Sequence, residues 1–568
     1  MNFAKILALV AIPLFFFLGA GAPQEEPVVD LIFYNGTIFT GNRSQPWAKA
    51  IAIGGGRVLY AGSTRGVAPF LKRANRVVNL KGRLLLPGFN DSHLHLRDGG
   101  FSLTSVNLRG ARSEKEFARI LEAFVKTLPQ GKWVLQGQWD HEKWPSKSYP
   151  NRSAIDGFTE KNPVLLDRVD GHMALANSLA LQLAGITAST PNPQGGEIVK
   201  DPLTGEPTGI LKDQAITLVS RIIPPPTLQE RREAFKAAAL YAVSLGITSV
   251  QDITATEDLP LLEEMNRTGD FPLRFNPWLR ATSLEHYRQL LFSPMKEDFK
   301  PHTIKIFVDG SLGARTALLF SPYKDAPSTS GLAIHEENTL NPLVEAIHRG
   351  GFQIAAHAIG DRANRMILDA IERAQTLFPR PDSRHRIEHA QILRNEELHR
   401  FQKLGVVASV QPVHLLEDMP WAEKRLGARI SHGYRYNSLR RSGVVLAFGT
   451  DWPFAPLDPR EGLYAAVARC PRRGGNSWSP SERLNLQQAV EAYTQGSAYA
   501  DFQEDRRGTL APGYDADIVV LDRNLFLLPP SEILKARVDF TIIQGRIVYD
   551  RSIQAPPAKE RHPAPSAK

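Results

Sequence analysis

Short apolar, β-branched runs recur along this chain, and most of them end on a polar residue. Eight such runs span residues 84–95, 247–252, 273–279, 303–309, 352–357, 385–389, 406–411 and 444–451. Runs of this length predict buried strands. Between most of them the periodicity turns helical, as in Leu343-Val344-Glu345-Ala346-Ile347-His348-Arg349 before the fifth run and over residues 363–377 after it. Strands alternating with helices predict a parallel sheet. Eight such units predict an α/β fold, a TIM-like (β/α)8 barrel.

Further strand patterns lie near both ends of the chain. Residues 30–36, 50–54, 57–60 and 77–80 form one set, and 517–521 and 540–549 form the other. Neither set suffices for an independent sheet, so together they predict one composite β-sandwich domain, over 28–88 and 505–552. The barrel is then expected over 89–504. The stretch from about 97 to 245, between the first and second barrel strands, is too long for a loop. It predicts a folded insertion over the catalytic mouth.

The polar residues fall where a barrel carries its chemistry, at the C-terminal strand ends. The first run ends in His93-Leu94-His95, and positions i and i+2 of a strand face the same way. Both imidazoles can therefore reach one ion. The fourth run carries Lys305, the fifth His357, the sixth His389 and the eighth Asp451. Leaving four histidines and an aspartate unpaired at one barrel end would be costly, and a divalent metal satisfies them.

The order His-x-His, Lys, His, His, Asp resembles the amidohydrolase superfamily of metal-dependent hydrolases. The resemblance is nearest to its amidohydrolase-3 or YtcJ-like branch, which includes N-substituted formamide deformylase. It extends over about residues 29–550 and rests also on Arg168-Val169-Asp170-Gly171-His172, Asn177-Ser178, Pro193-Gln194-Gly195-Gly196, Pro207-Thr208-Gly209 and the segment Asp309 to Ala317. One departure is Asp213, where the family usually has glutamate. The resemblance implies that His93, His95 and Asp451 bind one metal and that His357 and His389 bind a second. It implies that Lys305, as a carbamate, bridges the two. Zinc is the metal expected, as one or two ions, and Asp451 is implied as the proton shuttle of a metal-activated hydroxide. The reaction implied is hydrolysis of a non-peptide C–N bond in an amide, formamide or cyclic amide. The alternatives are deamination of a heterocycle and a secreted, non-catalytic binding protein. Lys305 favours the two-metal hydrolase over the deaminase, and the complete ligand set argues against a dead site.

Several other residues have two readings each. Lys305 could instead be a bare ammonium paired with Asp309 or Asp451. Trp139 could line the substrate pocket or pack in a turn. His172 could touch substrate or serve the insertion structurally. Arg315 could bind a substrate anion or pair with a nearby carboxylate.

With 68 Lys and Arg against 59 Asp and Glu, the net charge is +9. No basic patch interleaved with aromatics accompanies it, so a small-molecule substrate is expected and nucleic acid is not. Lys5, the uncharged apolar run over 6–18 and Gly19-Ala20-Gly21-Ala22 predict a secretory signal over 1–22. That implies an exported protein, periplasmic or extracellular, with no membrane span after cleavage. The single cysteine, Cys470, cannot form an intrachain disulfide. Residues 553–568, rich in Pro, Ala and Lys, predict a disordered tail. A homodimer is compatible with all of this.

Overall fold

The computed structural model describes residues 28–291 and 301–554. The expected signal, and the tail beyond residue 554, lie outside the described residues. The barrel strands are β1 (Phe89–Leu94), β2 (Ile247–Ile253), β3 (Arg274–Arg280), β4 (Thr303–Phe307), β5 (Gln353–Ala358), β6 (Arg386–His389), β7 (Val407–Val410) and β8 (Leu446–Phe448). They pair in parallel in chain order, as an α/β barrel requires.

The seam between β8 and β1 closes just beyond the strands. Asp451 donates its backbone N–H to the His93 carbonyl at 2.7 Å, and His95 donates to the Trp452 carbonyl at 2.8 Å. The buried Asp91 carboxylate accepts from Thr450 N at 3.0 Å, Thr450 Oγ1 at 2.6 Å and His93 N at 3.2 Å. Gly449 permits this approach: a Cβ there would lie 2.6 Å from His93 N.

The first expected strand, 84–95, divides in two. Gly88 still donates to Asp517 O in the neighbouring domain at 2.9 Å, whereas Phe89 donates to Gly246 O of the barrel at 3.2 Å. The triple-leucine segment Leu84–Pro87 therefore belongs to the sandwich. There it pairs with Thr37–Phe39 on one side and Ile518–Leu521 on the other. The sandwich has a four-stranded sheet (57–62, 50–54, 29–34, 74–79 in spatial order) and a six-stranded one (546–550, 538–543, 518–521, 84–87, 37–39, 47–48). Phe33, Ile51, Leu85, Ile518, Val520 and Ile542 form the core between them.

The insertion is a small domain around a five-stranded sheet, in the order 196–200, 207–213, 173–176, 164–168, 134–139. Phe117, Trp139, Trp144 and Leu166 belong to its own core. Among the described residues no helix is long and apolar enough to cross a membrane.

Candidate metal centre and active-site cavity

Strand alternation decides which side chains enter the barrel mouth. Arg280 of β3 stands opposite Lys305 of β4, Phe307 opposite His357 of β5, and Ala358 opposite His389 of β6. The outcome is a cluster of imidazoles around one carboxylate. Asp451 Oδ1 lies 3.2 Å from His93 Nε2 and 3.3 Å from His95 Nε2, and its Oδ2 lies 3.4 Å from His414 Nε2. Two trios, His93–His95–Asp451 and His389–His414–Asp451, each place a ligand atom from every member within 4.8 Å of the others. His357 stands beside them, its ring centroid 4.5 Å from that of His389. Its Nε2 meets the Gly310 carbonyl at 3.2 Å, which leaves Nδ1 as its available ligand atom. Lys305 Nζ is 3.3 Å from His93 Nε2 and 4.9 Å from the Phe307 ring centroid. Two members hold left-handed backbone: His389 at φ 73° and Asp451 at φ 60°. Non-glycine residues in that region are uncommon and concentrate at functional sites.

The electrostatics suit a cation. Burial alone would raise the Asp451 carboxyl, but contacts with His414, His93 and His95 outweigh it and hold the group well below the usual carboxylate range. Burial pushes His357 and His389 well below the ordinary imidazole value, so both are neutral and free to ligate. Burial also lowers the Lys305 ammonium to about 8, against the pull of Glu388 and Asp451. His414 Nε2 is buried without a hydrogen-bond partner. An orphaned imidazole nitrogen 3.4 Å from an ionised carboxylate is a donor set that a divalent cation completes.

A supporting layer fixes the ligands. Glu388 Oε2 lies 2.6 Å from His93 Nδ1, which sets the tautomer that turns Nε2 toward Asp451. Burial disfavours the Glu388 charge, but Arg386 and His93 bring it down to about 2. Arg386 donates to Glu388 Oε1 at 2.6 Å, Ser92 O at 2.7 Å and Ser409 Oγ at 2.6 Å. Asp309 accepts backbone N–H bonds from Leu318, Ile359 and Gly360 at 2.8–3.0 Å and is no partner for Lys305.

The insertion supplies the opposite wall of a cavity of about 340 Å³. From it Arg168 reaches Asp170 at 2.7 Å and Asp140 at 3.1 Å. His172 Nδ1 lies 2.6 Å from Asp213 Oδ1, and its ring is 5.0 Å from that of His357. Asp213, the family departure, is thus the partner of His172 and sits in left-handed backbone at φ 45°.

Of the three expected substrate contacts, only His172 lines the cavity. Trp139 is fully buried in the core of the insertion, its indole N–H donated to Leu166 O at 2.7 Å. Arg315 is held by Asp325 at 2.9 Å and Tyr149 Oη at 3.0 Å, outside the cavity lining. Two cavity residues, His414 and Arg280, are not among those the sequence pattern singles out. Each lies just past the apolar run that announces its strand.

A model of the amidohydrolase family matches residues 76–549. The chain belongs to the amidohydrolase family. A curated relative, Protein LONG AFTER FAR-RED 3 of Arabidopsis thaliana, is 38% identical over 93% of this chain and 93% of its own. N-substituted formamide deformylase of Arthrobacter pascens is 26% identical over 92% of this chain and 99% of its own. Among solved structures, an uncharacterized metal-dependent hydrolase from Pyrococcus horikoshii OT3 superposes with a TM-score of 0.70. It is 30% identical and covers 88% of this amidohydrolase and 99% of its own chain.

Proposed function

We propose that this amidohydrolase cleaves a non-peptide C–N bond of a small amide, formamide or cyclic amide, with Asp451 as proton shuttle. The observation that carries the reading is one ionised carboxylate within 3.2–3.4 Å of three imidazoles, with a fourth in the same cluster, on the wall of a cavity. The likeness to a formamide deformylase supports the choice of bond. His93, His95, His357, His389 and Asp451 would hold the metal, and zinc suits imidazole and carboxylate donors. His414, placed as it is, would add a ligand or turn the carboxylate. A divalent ion bound here acidifies water and polarises the scissile carbonyl. Asp451 takes the proton of the attacking water on its carboxylate and passes it to the departing nitrogen. Glu388 keeps the His93 tautomer fixed meanwhile, and the insertion limits access of bulk water. Lys305, lowered to about 8, presents a fraction of neutral amine near neutral pH. That form could add carbon dioxide and release a proton, and the resulting carbamate would be an anionic ligand for the metal.

Export from the cytoplasm is part of the proposal, on the strength of Lys5 and the apolar run after it; a mature N-terminus between about residues 20 and 25 checks it. The test of function is elemental analysis joined to a screen of formamides, N-acyl amino acids and cyclic ureas. One or two equivalents of divalent metal per chain, with hydrolysis that stops on chelation and returns on metal addition, is the expected result. Metal-free protein that gains no activity with any divalent ion would sink the reading.

A further inference from the structure

The cavity lining holds three Lys or Arg side chains: Arg168, Arg280 and Lys305. Two are already occupied. Arg168 lies between Asp140 and Asp170, and Lys305 sits against the metal-ligand cluster. Arg280 is different. It is the last residue of β3, one position past the buried run, and is solvent-exposed within the cavity. Alternation puts it on the same face as Trp278, whose ring packs 5.6 Å from that of His93. Its guanidinium lies 4.8 Å from the Phe307 ring centroid, a cation–π contact that holds the head group in the cavity. Among the described residues no carboxylate is within ion-pair distance of it; Asp98, on the same rim, acts on it only through space. A lone, preoriented guanidinium in a substrate cavity is a half-made ion pair.

We propose that Arg280 anchors a carboxylate of the substrate, so that this enzyme prefers amides bearing an acid group, of the N-acyl amino acid class. The inference rests on the reading of the cavity as an amide-hydrolysing site and deepens it. Adjacent strands lie about 4.7–4.9 Å apart, and Arg280 is the register partner of Lys305. The anchor is therefore one strand from the reacting centre, which suits an acid group a few bonds from the scissile amide. A single fork matches a monoanionic carboxylate bidentately. A phosphate dianion would meet that one cation beside Asp98, with the further acids Asp170, Asp213 and Glu417 in the same cavity.

Two ligands of matched shape test this, N-benzoylglycine and N-benzoylglycinamide, together with the N-acetyl and N-formyl acid/amide pairs. Binding is measured calorimetrically on full-length protein stripped of metal, so that carboxylate–metal ligation plays no part, and again after metal loading. The acid should bind about ten- to a hundred-fold tighter than its amide, the worth of a charge-assisted hydrogen bond or bidentate pair. Arg280→Met should erase the difference and Arg280→Lys should keep part of it, both with an unchanged melting profile. Equal affinity of wild type for acid and amide across the panel, absence of binding by every acid, or a preference that survives in Arg280→Met would overturn the proposal. Turnover is scored separately. An acid preference in binding without hydrolysis would refute the reaction assigned above and leave the anchor standing.

Discussion

Glu388→Gln separates the support of the metal ligands from the ligands themselves. Glu388 and Arg386 are both fully buried, and Glu388 also fixes His93 Nδ1 at 2.6 Å. The gap between about 2 and the ordinary 4.5 of a glutamate carboxyl corresponds to about 3 kcal/mol of favourable surroundings for the charge. Removing one partner of a buried ion pair independently costs about 3–5 kcal/mol, so a stability loss of about 3 kcal/mol is expected. The amide of Gln can present either its oxygen or its NH2 to His93 and so no longer dictates the tautomer. Loss of such an outer partner typically weakens metal binding about 10–100-fold. The assays are denaturant unfolding of the metal-free protein and competition for zinc against a chelator of known affinity. Glu397→Gln is the control. That glutamate is also fully buried and pairs with Arg365 and Arg400 on a peripheral helix, so it should cost stability without touching metal affinity. Equal metal affinity in wild type and Glu388→Gln, or equal losses in both variants, would refute the reasoning. Because the folded carboxyl is held low, its contribution is complete above about pH 4.5 and is lost as pH falls toward 2.

Asp451→Asn keeps the shape of the group and removes its basicity, so turnover should fall by about two to four orders of magnitude. Near-normal turnover at full metal occupancy on the same variant would exclude the shuttle. Lys305→Ala should abolish activity, with partial rescue by short carboxylic acids in a concentration series; activity equal to wild type without added acid would refute the bridging role. Away from the site, His385 accepts from Ile354 N at 3.0 Å, its Nε2 meets His348 Nδ1 at 2.8 Å, and His348 Nε2 meets Phe378 O at 2.7 Å. This chain has no place for an added proton, and burial holds both histidines below their ordinary value. Stability is therefore unaffected above about pH 6.5 and falls below it, by at most about 1.4 kcal/mol per pH unit for each histidine. Urea midpoints between pH 7 and 5 read that slope together with the contribution of His357 and His389, and His385→Gln should lower it by one histidine's share.

The barrel was legible in the sequence because each strand is an apolar run of the right length, and the ligands because they sit at the ends of those runs. The same rule explains what was missed. The third run stops at Leu279 because Arg280 is polar, yet backbone pairing with β4 carries β3 through Arg280. The seventh run stops at Gln411, while His414 rides three residues on, in the helix Pro412–Asp418. Hydropathy marks where burial ends, and a cavity begins one to three residues later. The split at Gly88 coincides with the expected domain boundary between 88 and 89, yet the apolar run 84–95 reads as one strand across it. Two strands of different domains follow one another without a polar break, and only their partners tell them apart. Trp139 and Arg315 were ambiguous because nothing local says whether a side chain faces a core, a carboxylate or a void.

The pairing of Leu84–Pro87 with Ile518–Leu521 has a consequence in time. A ribosome makes the triple-leucine strand about 430 residues before its central neighbour exists. At about 5–20 residues per second, that strand waits about 20–90 s with one edge unpaired. Exposed apolar edges of this kind are templates for aggregation. The first barrel strand hangs from the same segment, so the His93–His95 end of the site is tethered to a domain that is finished last. Correct assembly of the site therefore requires that this edge stay shielded until the last strands arrive.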